Sequence, residues 1–259
     1  MPVPSPDETL VRVSAAGVGP WDALIRTGRS GVAHRLPLTP GSDIAGVVQS
    51  TGEPVFGVTN RSFTSGYAQY AAASLGSIAR KPASLSFVEA ASVPVVAVTA
   101  WQMVCDRANV RAGQTVLVHG AAGNVGAYAV QLARWAGARV IAVAGTGDAD
   151  YLRGVGAAEI IDFHTQRFDE LVAGVDAVID TVGGDAQERS FSVIKPGGML
   201  VSSVSQPSEA LATRYGVRTA YFIVDVPTAQ LERIAQLIDD GTLKVDLGVV
   251  LSLADARKA

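Results

Sequence analysis

A glycine turn between an apolar strand and a helix constrains this chain more than any other stretch of its sequence. Val116–His119 is short, apolar and rich in valine, which is typical of a buried strand, and Ala127–Ala136 has the apolar spacing of a helix. Gly120, Gly123 and Gly126 lie between them at a fixed interval. This order is typical of a dinucleotide-binding fold, because N–H groups at the helix N-terminus can face a pyrophosphate. A plain strand-to-helix turn is the weaker alternative.

The alternation of strands and helices after residue 116 predicts an α/β fold, with a parallel sheet and helices on both faces. The predicted strands of this part lie at 116–119, 139–144, 159–161, 175–180, 198–203 and 219–224, and the predicted helices lie at 124–136, 148–154, 167–172, 185–194 and 228–240. The chain before Pro82 is instead rich in glycine and in β-type patterns. Its predicted strands lie at 9–15, 44–49, 55–58 and 66–73, and they are followed by helices at 86–91 and 95–108.

The composition indicates a soluble protein with a sizeable core. Of the 259 residues, 48% are hydrophobic and 17% are charged, and the longest apolar runs are too short to span a membrane. The net charge of −3 gives no reason to expect nucleic acid or a membrane surface as a partner. Because Cys105 is the only cysteine, an internal disulfide and a cysteine-rich zinc site are excluded. The N-terminus lacks the pattern of a secretory signal, and we expect a cytoplasmic protein.

Colinear stretches over most of the chain match the motifs of one family. They lie at 15–22, 37–48, 81–86, 98–101, 113–126, 156–162, 176–184 and 195–198. With them the sequence resembles the zinc-independent medium-chain dehydrogenases/reductases of the quinone oxidoreductase (zeta-crystallin-like) type. The resemblance implies a Rossmann doubly wound parallel sheet inserted in a GroES-like β-rich catalytic domain. The expected catalytic domain comprises 1–94 and 226–259, shortened at both ends and at 50–55 relative to the family, and the expected cofactor-binding domain comprises 95–225.

The positions that hold catalytic zinc in the zinc-dependent relatives offer no zinc ligand of the usual kind here. They correspond to Gly19–Asp22 and Gly41–Asp43, which contain neither cysteine nor histidine. We therefore expect no metal and a metal-free hydride transfer. Because a simple carbonyl without a Lewis acid is a poor hydride acceptor, this expectation favours quinones and conjugated enones as substrates.

The resemblance also implies the residues that contact the cofactor. They comprise the glycine turn, the end of the second Rossmann strand, the ends of the later strands and one residue near the nicotinamide ribose, namely Gly120, Ala121, Ala122, Gly123, Asn124, Val125, Gly126, Gly145, Thr146, Thr181, Val182, Ser203, Val204, Phe222, Ile223, Val224 and Thr99. No acid follows Val143 to bind a ribose 2′-hydroxyl, and Thr146 could donate to a 2′-phosphate. NADPH is therefore favoured, with NADH as the alternative.

The substrate pocket is expected to include Gly19, Asp43 and Trp101. Family members commonly have asparagine at the position of Gly19, and its replacement removes an amide. Tyr67 could orient or protonate a substrate oxygen, or it could only pack in its strand. For Asp22 and Asp43, a structural role that ties loops together through backbone N–H groups is favoured over a role in the pocket.

The sequence is compatible with three functions. The first is an NADPH-dependent reductase of a quinone or an α,β-unsaturated carbonyl compound, acting on a small electrophilic substrate. The second is an enoyl-thioester reductase, such as the reductase module of a polyketide synthase. The third is a dinucleotide-binding redox sensor or scaffold with little catalysis. The resemblance further implies a homodimer formed through the sheet edge at 219–224.

Overall fold

The chain forms two compact units in a computed structural model that describes residues 1–30 and 36–258. One unit comprises Met1–Val98 and Asp225–Ala259, and the other comprises Thr99–Val224. The second unit is therefore one continuous segment, whereas the first is assembled from both ends of the chain.

The first unit is built on a five-stranded sheet. Its elements before the second unit are β1 (Glu8–Ala16), α1 (Pro20–Arg26), β2 (Asp43–Val48), β3 (Pro54–Val58), β4 (Tyr70–Ser74), β5 (Ile78–Arg80) and α2 (Phe87–Ala91). The strand order is β4-β1-β2-β3-β5, and all its pairs are antiparallel. The core of the sheet is formed by small and β-branched side chains, namely Val11, Ile44, Val48, Val55, Ala71, Ala73 and Ile78.

The predicted strand at 66–73 begins only at Tyr70, and this part of the prediction was wrong. The preceding residues bond to a different segment of backbone. The amide of Gly66 donates to the carbonyl of Gly41 at 2.7 Å, and the amide of Tyr67 donates to the carbonyl of Pro40 at 2.9 Å. Ser65 also has a φ of 80°, which no regular strand residue adopts. Tyr67 therefore lies in a loop rather than on a strand.

The second unit is an α/β sandwich. The helix α3 (Pro94–Trp101) leads into it, and its elements are β6 (Thr115–His119), α4 (Asn124–Trp135), β7 (Arg139–Ala144), α5 (Ala149–Val155), β8 (Glu159–Asp162), α6 (Phe168–Leu171), β9 (Val175–Asp180), α7 (Gly184–Ser190), β10 (Ile194–Ser202), α8 (Glu209–Tyr215) and β11 (Arg218–Tyr221). The order β11-β10-β9-β6-β7-β8 is fully parallel. This is the strand order of a doubly wound Rossmann sheet, so the expected fold class is confirmed.

Several predicted elements of this unit differ from the structure. The helix predicted at 185–194 ends at Ser190, and the strand predicted at 198–203 already begins at Ile194. The helix predicted at 95–108 is α-helical only to Trp101 and continues as a wider π-helical turn over Gln102–Arg107. The strand predicted at 219–224 ends at Tyr221, so Phe222, Ile223 and Val224 lie beyond the sheet.

The chain returns to the first unit as α9 (Thr228–Asp239). The hydroxyl of Thr228 donates to the carbonyl of Ile78 at 2.8 Å, at the start of β5. The Asp239 carboxylate accepts from the amides of Ala83 and Ser84 at 3.0 and 2.9 Å. These bonds join the two ends of the first unit. Within the described ranges, no helix is both long and apolar enough to cross a bilayer.

Candidate functional site

The glycine turn after β6 has a shape that only glycine permits at two positions. Gly120 has a φ of +63°, and a Cβ placed on it would lie 2.5 Å from Thr181 Oγ1. A Cβ on Gly126 would lie 2.1 Å from the carbonyl oxygen of Gly120. Both distances are far below van der Waals contact, so the turn and the start of α4 can approach this closely only without side chains.

The turn ends at the N-terminus of a 12-residue helix. Gly123 precedes α4 and has no side chain that could cap the first N–H groups of the helix. An uncapped helix N-terminus of this length presents N–H donors and a partial positive charge to an anion. Gly123 and Asn124 are exposed, and the amide of Ala121 donates to the carbonyl of Val143 at 3.0 Å. The turn is thus held against β7 while its tip stays accessible.

Asp180 organises the carboxyl ends of the two strands beside this turn, and sequence reasoning missed this role. Its carboxylate is fully buried and accepts from four donors, which are the amides of Val182 and Gly183, Gln187 Nε2 and Ser202 Oγ, at 2.8 to 3.0 Å. A buried carboxylate needs such donors to offset its lost hydration. The only signal in the sequence was an acid at the end of an apolar strand, followed by glycines.

Three exposed apolar side chains follow the carboxyl ends of β9, β10 and β11, and we call them the apolar rim. They are Val182, Val204 and Ile223, with exposed fractions of 54%, 47% and 59%. A Cβ on Gly120 would lie 3.1 Å from Val182, and one on Gly183 would lie 3.2 Å from Val204. Ile223 follows β11, which pairs with β10. Exposed apolar side chains grouped at the ends of adjacent strands indicate a surface that a ligand covers.

The remaining sequence-predicted cofactor residues lie in the same unit. Thr181 donates its hydroxyl to the carbonyl of His119 at 2.7 Å, and Ser203 donates its amide to the carbonyl of Asp180 at 3.2 Å. Phe222 lies under the guanidinium of Arg107, 5.2 Å from it, and Thr99 is buried. The positions Ala122, Val125, Gly145 and Val224 are partly exposed. Most of the set therefore follows the carboxyl ends of the strands.

The end of β7 makes a contact that the sequence did not suggest. Thr146 donates its hydroxyl to Asp162 Oδ2 at 2.7 Å, and the amide of His164 donates to Asp162 Oδ1 at 2.9 Å. Asp162 ends the neighbouring strand β8. A carboxylate therefore stands where the sequence alone showed no acid.

His119 ends β6 directly before the glycine turn. It is almost fully buried, its Nε2 lies 2.8 Å from Ser190 Oγ, and its ring meets Phe168 edge-on. Burial lowers the pKa of its imidazole to about 4, so the ring is neutral at physiological pH. His119 is therefore a packed, hydrogen-bonded neighbour of the glycine turn.

Two carboxylates of the first unit gather the loops around β2, and we call this arrangement the two-carboxylate cluster. Asp22 accepts from the amides of Gly19 and Gly41, each at 2.9 Å, and from the hydroxyl of Tyr67 at 3.0 Å. Asp43 accepts from Ser42 Oγ at 2.6 Å and from the amide of Val95 at 2.8 Å. Both acids thereby tie loops to the sheet.

Burial shifts the pKa values of the members of this cluster upward. Burial, to which the nearby charge of Asp22 adds, raises the pKa of Asp43 to about 7. Burial also raises the pKa of Asp22, against the opposing effect of its three hydrogen bonds. The pKa of Tyr67 is raised as well, first by burial and then by Asp22. A phenol in this state holds its proton and donates a hydrogen bond to Asp22.

The other residues expected in the substrate pocket have neighbours in their own units. A Cβ on Gly19 would lie 2.2 Å from the ring of Trp21, so that ring occupies the space beside this position. Trp101 is partly exposed and tilted against Trp135, with ring centroids 5.9 Å apart. Among residues 1–30 and 36–258, no three histidine, cysteine or acidic side chains form a group that could hold a metal ion.

Comparisons with known proteins cover both units. The family described as "Alcohol dehydrogenase GroES-like domain" matches residues 5–76, and the family described as "Zinc-binding dehydrogenase" matches residues 155–259. The quinone oxidoreductase of Homo sapiens is 33% identical over 216 residues, which are 78% of this chain and 65% of that protein. The chain therefore spans slightly less than two thirds of the length of this relative.

Two further relatives have different names. The 2-methylene-furan-3-one reductase of Solanum lycopersicum is 30% identical over 92% of this chain and 63% of its own length. The spectinabilin polyketide synthase system protein NorB of Streptomyces orinoci is 35% identical over 90% of this chain, which corresponds to 11% of that protein.

Solved structures extend the likeness over the whole chain. The quinone oxidoreductase of Coxiella burnetii superposes with a TM-score of 0.89 and 29% identity, over 100% of this chain and 87% of that one. An alcohol dehydrogenase superfamily protein of Novosphingobium aromaticivorans superposes with a TM-score of 0.84 and 33% identity, over 93% and 82%. Together with the Rossmann sheet and the glycine turn, these matches show that the chain belongs to the quinone oxidoreductase-like family of the medium-chain dehydrogenases/reductases.

Proposed function

We propose that the protein is a nicotinamide-dinucleotide-dependent reductase that transfers hydride, without a metal ion, to a quinone or an α,β-unsaturated carbonyl compound. One observation carries the proposal. The glycine turn and the apolar rim lie at the same carboxyl edge of the parallel sheet, and one member of the rim, Val182, lies only 3.1 Å from the Cβ position of Gly120. Ligands of open α/β sheets bind at this edge, beside the point where the strand order reverses.

The residues at this edge fit a dinucleotide. The uncapped N-terminus of α4 and the turn Gly120–Gly126 would bind the pyrophosphate through backbone N–H groups. The apolar rim would cover the nicotinamide and keep water from its reactive face, with Thr181, Ser203 and Phe222 beside it. When bound, the cofactor supplies the hydride.

The chemistry of the two-carboxylate cluster favours a metal-free reaction. Asp22 and Asp43 accept hydrogen bonds from N–H and O–H groups, namely the amides of Gly19, Gly41 and Val95 and the hydroxyls of Ser42 and Tyr67. Their oxygens are thus engaged by donors of the protein. Without a Lewis acid, a C=C bond conjugated to a carbonyl is the better hydride acceptor, because the negative charge is delocalised in an enolate or quinol anion, whereas a simple carbonyl gives a localised alkoxide.

Tyr67 is better suited to position Asp22 than to donate a proton to the substrate. Its hydroxyl proton points at Asp22, 3.0 Å away, and burial raises its pKa. A general acid works best with a pKa near the working pH, so a phenol with a raised pKa is a weak candidate. We propose that Tyr67 positions Asp22 and that solvent supplies the proton.

The relatives support reduction of a conjugated double bond. The name of the tomato protein describes reduction of a ring ketone conjugated to a methylene group, and the human relative is named for quinones. The likeness to NorB, over nine tenths of this chain, favours a second candidate function, the reduction of an enoyl thioester. All three substrates accept hydride at a carbon conjugated to a carbonyl.

The cofactor was expected to be NADPH, with NADH as the alternative. That expectation depends on the absence of an acid after Val143 and on a free donor at Thr146. In the structure the Thr146 hydroxyl donates to Asp162, which makes the basis for NADPH weaker. The choice between the two cofactors thus depends on the ends of β7 and β8.

We further propose that the protein forms a homodimer and is located in the cytoplasm. β11 is an edge strand of the Rossmann sheet, and an open edge can pair with the same strand of a second copy. A single cysteine fits a reducing compartment. A monomer mass in light scattering at micromolar concentration would refute the dimer.

A panel assay tests the proposed function. Cofactor oxidation is followed by absorbance at a fixed concentration of NADH or NADPH, in parallel with a small quinone, a 2-alkenal, a 2-methylene-furanone and an enoyl thioester. We expect turnover with at least one of the conjugated acceptors and no dependence on added zinc or on a chelator. Cofactor binding without turnover on any of them would instead favour a sensor or scaffold.

A further inference from the structure

We infer that the ends of β7 and β8 select the 2′-hydroxyl of NADH against the 2′-phosphate of NADPH, through the carboxylates of Asp162 and Asp148. The inference rests on the proposed function, in that the Rossmann sheet must bind a nicotinamide dinucleotide. It reverses the preference that the sequence suggests.

The topology brings these residues to the cofactor. β6 and β7 are adjacent and parallel, with His119 opposite Val143, and the amide of Ala121 in the glycine turn donates to the carbonyl of Val143 at 3.0 Å. The residues that follow Ala144 therefore lie beside the turn that would bind the pyrophosphate. In a Rossmann fold, the end of this strand faces the ribose of the adenosine.

Asp162 is fixed at this place by two bonds. Its Oδ2 accepts from the hydroxyl of Thr146 at 2.7 Å, and its Oδ1 accepts from the amide of His164 at 2.9 Å. The same bonds lower the pKa of this carboxyl, so it is charged at neutral pH. Thr146 consequently brings a negative charge to the ribose position instead of offering its hydroxyl to a phosphate.

A second carboxylate faces the same space. A Cβ on Gly145 would lie 3.6 Å from Asp148 Oδ2 and 3.7 Å from His164 Nε2. The nearest arginines along the chain are already paired, because Arg153 contacts Asp150 at 2.9 Å and Arg167 contacts Asp169 at 2.8 Å. Two acids thus stand at the position where a 2′-phosphate would need cations, with the imidazole of His164 as a basic side chain beside them.

The two cofactors meet this arrangement differently. A 2′-phosphate carries about −1.5 to −2 charges at pH 7, and like charges placed together oppose binding. A ribose hydroxyl can instead donate to a charged carboxylate, which is the stronger class of hydrogen bond. The discrimination is electrostatic and near the surface, so it should diminish as salt screens it.

The test is direct binding, which does not depend on turnover. Dissociation constants for NADH and NADPH are measured by titration calorimetry on the whole protein at low salt and at high salt. We expect NADH to bind at least roughly tenfold more tightly at low salt, since a single carboxylate at the adenosine ribose already sets cofactor choice in Rossmann folds. The ratio should become smaller at high salt.

Two charge variants separate the position from the overall charge. Asp162→Asn keeps an oxygen acceptor for the amide of His164, replaces the other oxygen by an NH2 group that can donate to Thr146 Oγ1, and removes the charge. It should bring the NADH-to-NADPH affinity ratio several-fold closer to one. Glu159→Gln removes the same charge at the opposite end of β8, where Glu159 pairs with Arg139 at 2.8 Å, and it should leave the ratio unchanged. The double variant Asp148→Lys and Asp162→Asn should favour NADPH.

The outcomes distinguish this inference from the proposed function. Equal or tighter binding of NADPH by the unaltered protein would overturn the selectivity alone. An equal shift in Asp162→Asn and Glu159→Gln would overturn the assignment to these residues. No binding of either dinucleotide would overturn both the selectivity and the reductase.

Discussion

The two compact units hold their buried carboxylates in different ways. In the Rossmann unit, Asp180 stands alone among four donors that belong to the ends of β9 and β10 and the start of α7. In the β-rich unit, Asp22 and Asp43 stand close enough for one charge to raise the pKa of the other. The first arrangement fixes one edge of a sheet, whereas the second ties separate loops together and responds to pH.

Because of this difference, the two units should tolerate substitutions at different places. The carboxyl edge of the parallel sheet is specified by short-range geometry, since glycine contacts and amides of neighbouring residues set its shape. The loops around β2 depend on contacts between residues distant in sequence, such as Tyr67 with Asp22. Single substitutions should therefore reduce stability and ligand binding most strongly at the carboxyl edge of the Rossmann sheet.

The largest effect is expected for Asp180→Ala. It leaves the amides of Val182 and Gly183, Gln187 Nε2 and Ser202 Oγ without their acceptor, and unsatisfied buried donors cost roughly 1–3 kcal/mol each. Partial relaxation should reduce the total, and we expect a loss of about 3–5 kcal/mol in the free energy of unfolding. Urea denaturation measures it. Asp185→Ala, at an exposed acid of the helix α7 that follows Asp180, serves as control, and equal losses in both would contradict the role of Asp180.

The glycine turn comes next. In Gly126→Ala, the new Cβ would lie 2.1 Å from the Gly120 carbonyl, so the backbone must shift. We expect a loss of roughly 1–3 kcal/mol, as in other overpacked sites, and at least tenfold weaker dinucleotide binding. Calorimetric titration and urea denaturation measure these two effects.

A second glycine provides the matched control. Gly154 lies in α5 with nothing within 4 Å of its Cβ position. Gly154→Ala should stabilise the protein by about 0.5–1 kcal/mol through helix propensity and leave binding unchanged. If both alanine variants lose binding alike, the close contact at Gly126 is not what matters.

The response to pH should separate the two units. The pKa of Asp43 is raised from 3.8 to about 7, so the folded state binds a proton that the unfolded state lacks, and this term lowers stability as pH rises through that range. The pKa of His119 is lowered from 6.5 to about 4, which has the opposite sign and raises stability over about pH 4 to 6.5. The two terms oppose each other below pH 6.5.

Asp43→Asn should remove the pH dependence of stability that Asp43 contributes and leave that of His119. Relative to the unaltered protein, the unfolding free energy of the variant should increase with pH between about 4 and 7, by at most about 1.4 kcal/mol per pH unit. Chemical denaturation at several pH values measures this difference, in which the other acids cancel. Parallel pH profiles for the two proteins would show that Asp43 keeps an ordinary pKa.

The smallest effect is expected for Tyr67→Phe, which removes one hydrogen bond to Asp22. We expect a loss of about 1 kcal/mol in stability. If Tyr67 positions Asp22, kcat should fall less than about tenfold and its pH profile should keep its shape, since a lost general acid typically costs 10²–10⁴-fold. Steady-state kinetics with the best acceptor of the panel distinguish the two roles.

The sequence predicts the Rossmann unit better than the β-rich unit for a physical reason. The strands at 139–144 and 175–180 begin and end as predicted, because each is a valine-rich run that the parallel sheet buries on both faces. The stretch at 66–73 alternates like a strand, but its partners at Pro40 and Gly41 lie 25 or more residues earlier and could not be inferred from the pattern. The Thr146–Asp162 contact was missed for a similar reason, since it requires the side chains of two adjacent strand ends to meet.

The division of the first unit between both ends of the chain has a consequence for its synthesis on the ribosome. Asp239 bonds to Ala83 and Ser84, and Thr228 bonds to Ile78. The segment around β5 therefore makes these hydrogen bonds only after α9, about 150 residues later in the chain, has been synthesised. The continuous Rossmann segment Thr99–Val224 emerges complete before that helix. It can therefore fold first, as domains do during translation, and bring the two distant segments within reach of each other. A nascent chain stopped before α9 would contain the complete Rossmann segment, whereas the β-rich unit would lack its C-terminal helix.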